Sequence, residues 1–391
     1  MKNITRIALG FVFVIFLVKS FDYVVRHGDR LHDQDTGSED NTITAARNFV
    51  QDGFFKSCGL PKYGRYNLDS ASKTIAESDY YTHYFPGPDY VLATTSAVFG
   101  AHFKTAQWSR LVPLFTFFLA VLFFLWVGAR SLWPNQPLAT PWIAAFILFA
   151  PANRNWVLNL HGHGYVSAYT LAALSLGVLA ASWTWSNRKN HFSIYGSMVG
   201  AFLLGFASNY MLLTNAFVVC AAPLVGGLLA HSPNRKAWQL PFWLSFVVGL
   251  GLVAAFFVHL YQIACLFSWK DALADQLGTL SARVQKSHAA APISRIRLLG
   301  QYSDQVFGFY GLSAKAMALL GLFLAWISSA SGIGRKRQIA ALALAILAAY
   351  AWVLVLPSHA SGHLHVNPRI FLLPFVCVLV LLARITGVSK K

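Results

Sequence analysis

Apolar positions recur along this chain in runs long enough to cross a bilayer, and short polar connections separate them. A helix needs about 20 residues to span a hydrocarbon core of roughly 30 Å. Runs at 4–21, 109–128, 138–152, 164–184, 192–208, 211–230, 240–267, 314–331, 338–356 and 369–386 therefore predict an all-α polytopic membrane protein with about ten transmembrane helices. The runs recur throughout, so residues 1–391 are expected to form one bundle, with no soluble C-terminal domain. A shorter apolar run at 90–103 suits an interfacial or re-entrant helix better than a span. Lys2 and Arg6 precede the first run as in a signal peptide, but no small-x-small site follows, and the run reads as a retained span.

Two polar intervals interrupt the pattern, at 22–89 and 268–313. In the first, Thr42, Ile43, Ala46, Phe49 and Val50 recur at helical spacing, with Ser38 or Asp40 as N-cap and Gly53 as stop. This predicts an amphipathic helix lying on the membrane, with Glu39 and Asp40 at its N-terminus. Carboxylates there are stabilised by the helix dipole, so capping and catalysis are compatible readings of the pair. The second interval, with Trp269 and Tyr302 among Arg and Gln, is expected to cover the site or a lipid entrance.

Composition agrees with the pattern. Hydrophobic residues make up 56% and charged residues 12%, with mean hydropathy +0.51, against the roughly 25% charged residues of a soluble domain. The net charge of +17 does not point to nucleic acid, because the Lys and Arg residues lie in short clusters between spans. With a cytoplasmic N-terminus, Arg130, Arg188 with Lys189, Arg235 with Lys236, Arg335-Lys336-Arg337 and the 384–391 tail all fall inside, as the positive-inside rule requires. Both termini are then cytoplasmic, in a bacterial inner membrane. Intervals 22–89, 153–164, 268–313 and 357–368 fall outside. Cys58, Cys220, Cys265 and Cys377 show neither metal spacing nor a disulfide framework.

The outer intervals also collect an aromatic, proline-rich stretch, Tyr80-Tyr81-Thr82-His83-Tyr84-Phe85-Pro86-Gly87-Pro88, and the histidines His161, His163, His359, His363 and His365. Imidazoles there can hydrogen-bond a sugar or a phosphate, ligate a transition metal, or serve as plain interfacial residues. Arg154, Arg283, Lys286, Arg295, Arg297 and Arg369 offer bidentate phosphate contacts, or snorkel to headgroups.

Taken in order, these features resemble the GT-C glycosyltransferases, in the branch that contains protein O-mannosyltransferases and lipid A aminoarabinose transferases. The likeness runs from the basic first span through the acidic pair, a helix ending in Gly53, the Tyr/Pro segment, Phe99-Gly100 and Arg110. It continues at the Gly-rich 200–213 span and at Arg369-Ile370-Phe371-Leu372-Leu373-Pro374. It covers nearly the whole chain with loose motifs, and the acids read Glu-Asp where the family has Asp-Glu.

The resemblance implies a polyprenyl-phosphate-linked sugar as donor and a glycan, lipid or protein acceptor on the outer face. It implies Asp40 or Glu39 as the group that orients or deprotonates the acceptor. Arg369, Arg295, Arg297, His83 and Arg154 are the candidates for the donor phosphate, and Tyr81, His161, His163, His363 and His365 for sugar or acceptor. No cofactor is required and no metal ligand set is assigned, although a divalent metal stays open. A transporter or flippase is the main competing class, but no internal repeat and almost no intramembrane acid supports it. A membrane acyltransferase lacks a recognisable acyl-donor site.

Overall fold

The computed structural model describes residues 2–33, 35–63, 78–83, 85–100, 103–185, 191–230, 236–284, 294–329, 332–365 and 367–386. Lys286 and parts of both polar intervals, 64–77 and 285–293, lie outside them. Among the described residues, seventeen α-helices follow one another. They begin with α1 (Lys2–His27), α2 (Thr36–Asp52), α3 (Gly87–Phe99), α4 (Phe103–Ser109), α5 (Leu111–Ser131), α6 (Ala139–Phe149) and α7 (Pro151–Arg154). The middle holds α8 (Val166–Trp185), α9 (His191–Met211), α10 (Ala216–Leu229), α11 (Gln239–Leu266) and α12 (Trp269–Val284). The last are α13 (Arg295–Tyr310), α14 (Ala314–Ile327), α15 (Gly332–Val355), α16 (Pro357–Gly362) and α17 (Leu372–Ile385).

Among the described residues, six helices are long and apolar enough to cross a membrane: 3–27, 106–131, 162–183, 239–266, 332–355 and 368–385. A seventh candidate is the pair α13 and α14, bent by 74°. The other expected spans fall on α6 and α10, which are short, and on α9, whose Ser208 and Asn209 make its end polar. Against the expected count of about ten, the described residues hold six helices of full length and hydropathy, or seven with the bent pair.

Burial ranks these helices. In the best apolar window, 83% of the residues around α17 and 78% of those around α8 are buried, against 17% for α1. An apolar helix buried on every side is central, so α8 and α17 form the core while α1 leans on α6 from outside. Small residues let the inner helices touch. A Cβ on Gly177 would collide with the Pro223 backbone of α10, and one on Gly205 with the Val248 backbone of α11. Backbones in lipid gain from such close approach through dispersion and packing.

The two ends of the bundle differ. At one end Arg384 donates from Nε to the Leu132 carbonyl at 3.0 Å and also reaches the Leu229 carbonyl, while Arg337 donates to the Gly227 carbonyl at 2.9 Å. These guanidiniums satisfy the orphan carbonyls that end α5 and α10, so two basic residues that read as topology signals also cap helices. At the other end, helices break. Asn153 Nδ2 donates to the Ile147 carbonyl at 2.6 Å, Asn215 Nδ2 to the Val166 carbonyl at 3.1 Å, and Asn209 Nδ2 to the Leu252 carbonyl at 2.9 Å. Ile147 lies in the last turn of α6, where backbone freed inside an apolar bundle needs such a partner; the other two bonds tie neighbouring helices together.

The first polar interval folds against this broken end. Helix α2 ends at Gly53, whose φ of 84° ends the helical turn, but it starts at Thr36 with Asp35 in the N-cap position. The expected caps, Ser38 and Asp40, lie inside the helix. Its apolar side packs on α3 through Ala45, Ala46, Phe49, Leu92 and Ala93, so this face meets protein and not the bilayer. The following turn is fastened to α11. Cys58 and Cys265 form a disulfide with Cα atoms 6.3 Å apart, Tyr90 Oη donates to the Gly59 carbonyl at 2.5 Å, and Gln262 Nε2 donates to Tyr90 Oη at 2.7 Å. The disulfide corrects the reading of the cysteines: a sequence separation of 207 hides a pairing that only the tertiary fold creates.

Alkylation tests this pairing. In the denatured, unreduced protein a maleimide is expected to modify Cys220 and Cys377 alone, and all four cysteines after reduction, with mass spectrometry as the readout. Modification of Cys58 without reductant would remove the bond.

Candidate active site

The site begins with a buried ion pair. Arg110, between α4 and α5, donates to Glu39 from Nη1 at 2.6 Å and from Nη2 at 2.8 Å. The remaining guanidinium protons go to the carbonyls of Gly28 at 3.1 Å, Arg30 at 2.7 Å and Leu158 at 2.7 Å. Glu39 accepts two more bonds, from the backbone N–H of His32 and of Leu160, each at 2.8 Å. Arg110 is 2% exposed and Glu39 0%. All five donors of the guanidinium are occupied, and the carboxylate holds four partners. Glu39 is therefore an anchor with no lone pair turned to a substrate, which removes it from the expected base pair. Asp40, one residue on, is rotated about 100° around α2 and is half-buried.

What the anchor assembles is the 28–35 turn against the 155–163 segment. Asp35 makes no capping bond to α2. Its Oδ2 instead accepts from Asn159 Nδ2 at 3.2 Å and lies 3.9 Å from His163 Nε2. Asn159 Oδ1 in turn accepts from the His161 N–H at 2.9 Å, and the rings of His161 and His163 are 5.1 Å apart. On the far side of His163, Arg369 donates from Nη1 to its carbonyl at 3.0 Å and from Nη2 to its Nδ1. The Arg369 guanidinium lies 4.0 Å over the Trp156 ring, and Tyr310 Oη donates to the Arg369 carbonyl at 2.7 Å. Carboxylate, imidazole and guanidinium thus form one buried chain: Asp35, His163, Arg369.

That chain sets a tautomer. An arginine can only donate, so His163 Nδ1 must accept, and the ring proton sits on Nε2, pointing at Asp35. Asp35, His161 and His163 are the described residues that could hold a metal, their ligand atoms lying within 4.8 Å of one another. One carboxylate and two imidazoles suit a transition metal. A metal on His163 Nε2 would place a proton on Nδ1 against Arg369, so binding there requires the arginine contact to give way.

Around this group stand the other expected residues. His359 and His363 stack with ring centres 4.1 Å apart and planes 6° off parallel. Burial, with His363 and Arg283 nearby, pushes the His359 imidazole down to about 2, and burial lowers His363 and His161 too. His365 is exposed. His83 pairs with Asp275 of α12 at 3.5 Å and its carbonyl accepts from Arg283 at 2.8 Å. Tyr81 sits between Tyr63 and His83, at ring distances of 4.7 and 5.4 Å. Arg295 and Arg297 are exposed at the start of α13, and Arg154 is exposed with its Nε on Asn155 Oδ1 at 3.0 Å. The structure brings together His161, His163 and Arg369, and adds Asp35, Trp156 and Asn159, which sequence reasoning missed. The available signal was the acid at the end of His32-Asp33-Gln34-Asp35, immediately before a helix.

No family model and no curated protein matches the chain. Among solved structures it is similar to the archaeal oligosaccharyltransferase AglB from Archaeoglobus fulgidus, in complex with an inhibitory peptide and a dolichol-phosphate. The identity is 12% and the TM-score 0.43, over 86% of this chain. The chain spans 46% of that protein's length.

Two outcomes follow from the geometry. Removing one partner of a buried pair strands the other charge, at a cost on the order of 3–5 kcal/mol. Glu39→Gln and Arg110→Met are each expected to lower the melting temperature sharply, read by tryptophan fluorescence in detergent; melting like wild type would deny the anchor its role. The second concerns pH. Unfolded imidazoles titrate near 6.5, whereas folded His161 and His359 resist protonation, so below about 6.5 the unfolded state binds more protons and stability falls. The slope approaches about 1.4 kcal/mol per pH unit for each group, and His359→Asn should flatten the melting curve between pH 6.5 and 5.

Proposed function

We propose that this chain is a membrane glycosyltransferase of the GT-C type, which moves a sugar from a polyprenyl-phosphate donor to an acceptor at the membrane surface. The observation that carries the reading is the buried Asp35, His163, Arg369 chain, placed at the end of the bundle where the polar intervals gather. The resemblance of the sequence motifs adds to it. With α6, α9, α10 and α14 counted as crossings beside the six full-length spans, the chain crosses ten times and both termini share the basic, cytoplasmic side. The site then faces outward, and the Cys58–Cys265 disulfide supports that side, since disulfides persist in oxidising compartments.

Asp35 takes the role first expected of Asp40. Its carboxylate accepts the proton of an acceptor hydroxyl as that oxygen attacks the anomeric carbon. The bond from that carbon to the phosphate oxygen breaks, and the electron pair leaves with the phosphate. Asn159, donating from Nδ2 at 3.2 Å, holds Asp35 in place, and His163 turns its Nε2 toward the same carboxylate oxygen at 3.9 Å. A positive field at this end also stabilises the departing phosphate. One displacement inverts the anomeric configuration.

Purified protein in nanodiscs, supplied with defined polyprenyl-phosphate sugars, should release the free lipid phosphate. Asp35→Asn is expected to lower kcat by about 10²–10⁴ with donor binding intact, while Asp40→Asn keeps most of the activity. Because His163 Nδ1 already accepts from Arg369, turnover should withstand EDTA. Full activity of Asp35→Asn would remove the proposed base; loss on chelation with rescue by Mn²⁺ would make Asp35, His161 and His163 metal ligands instead.

A further inference from the structure

A cavity of about 320 Å³ lies between α1, the 32–33 turn and the junction of α6 with α7. Its chemistry is divided. Phe16 and Phe149 line one part, their rings 5.9 Å apart, while Lys19 and Arg154 bring two cations to the rim against the single carboxylate of Asp33. An apolar floor under a net positive rim fits an anion that carries a hydrocarbon chain. A free ion gains nothing from the two phenylalanines, and an uncharged lipid gains nothing from the cations.

The approach from the membrane is built as well. Phe11, Ile15 and Lys19 follow one another at intervals of four residues on α1, so they lie on one face. Phe11 is 65% and Ile15 46% exposed, which leaves an apolar path along the helix leading to the lysine. The cavity is distinct from the group around Asp35. Trp156 stands between them, its ring 4.9 Å from that of His32, which lines the cavity, and under the guanidinium of Arg369, which does not.

We propose that this cavity binds the phosphate head of a membrane lipid, held between Lys19 and Arg154, with the hydrocarbon chain lying over Phe16 and Phe149 and along the outer face of α1. Two cations facing one phosphate supply charge-assisted bonds, and the partly enclosed setting screens them less than an open surface would. The assignment does not depend on the transferase reading, since binding is measured without donor or turnover.

The test uses the full chain in nanodiscs of phosphatidylcholine, titrated with dioctanoyl phosphatidic acid, dioctanoylglycerol or inorganic phosphate, with binding read by thermophoresis. Phosphatidic acid is expected to bind at least about tenfold tighter than either of the others. Lys19→Gln with Arg154→Gln should remove that preference. Ser20→Phe, which fills the cavity but keeps both cations, should weaken phosphatidic acid by a similar factor; Ser20 lines the cavity wall. Equal affinity for phosphatidic acid and dioctanoylglycerol, or unchanged affinity in the double variant, would mean that the cations only snorkel to bulk headgroups, and the proposal fails. Inorganic phosphate binding as tightly as the lipid would make this an anion site with no lipid specificity and would also overturn it. Unaltered binding to Ser20→Phe would place the ligand elsewhere.

Discussion

The arrangement depends on one saturated ion pair. A buried guanidinium and carboxylate lose several kcal/mol each of hydration, and their mutual attraction repays that only when every remaining donor and acceptor finds a partner. Arg110 meets the condition with three carbonyls beyond Glu39, and Glu39 with two backbone N–H groups beyond Arg110. The carbonyls and N–H groups come from the 28–32 turn and from residues 158–160. No apolar pair of similar size could bind these backbone groups, so here the charges determine where two loops meet. Whatever Asp35 and His163 do follows from that meeting.

The same pair explains which part of the site was legible in the sequence. The acids Glu39 and Asp40 are adjacent, early and conspicuous, and their helix was readable at its Gly53 stop, although it is capped at Asp35, three to five residues before the expected caps. What periodicity cannot report is which acid a distant arginine will take. Arg110 is 71 residues away, and it selects Glu39, which makes that acid an anchor between two loops. Asp35 occupies a position that reads as an N-cap, yet its side chain reaches Asn159, 124 residues on. His161-Gly162-His163 and Arg369 were legible because they are polar groups in apolar surroundings. Their pairing across 206 residues was not.

The bundle itself was more legible than its site, for a reason of scale. Hydrophobic runs of bilayer length are local, and the helices over them form where expected. Crossings are harder to count where a helix breaks, as at α6 and α10, because the break shortens the run without removing the helix. At the α6 break Asn153 binds a freed carbonyl, while Asn209 and Asn215 tie the ends of α9 and α10 to the backbones of α11 and α8. Polar residues within apolar runs thus mark the end of the bundle that holds the candidate site. The disulfide belongs with the site in this respect, since two cysteines in unlike surroundings have no local signature of pairing.

The first polar interval is consequently held in unequal ways on its two flanks. Its start is fixed by Arg110, and its middle by Cys58–Cys265 and by the Gln262, Tyr90, Gly59 relay. These contacts are buried or covalent, and opening them would expose charges and unpaired backbone groups together. The flank against α12 relies on His83 with Asp275 and on Arg283 with the His83 carbonyl, where His83 is 46% exposed and water can replace either contact. An exposed ion pair contributes about 0–1 kcal/mol, against several for the buried one. The energy difference puts the rigid wall of the site on the side of α2 and α5 and the adjustable wall on the side of α12. Asp35, the proposed base, stands on the rigid wall, where a carboxylate keeps its geometry.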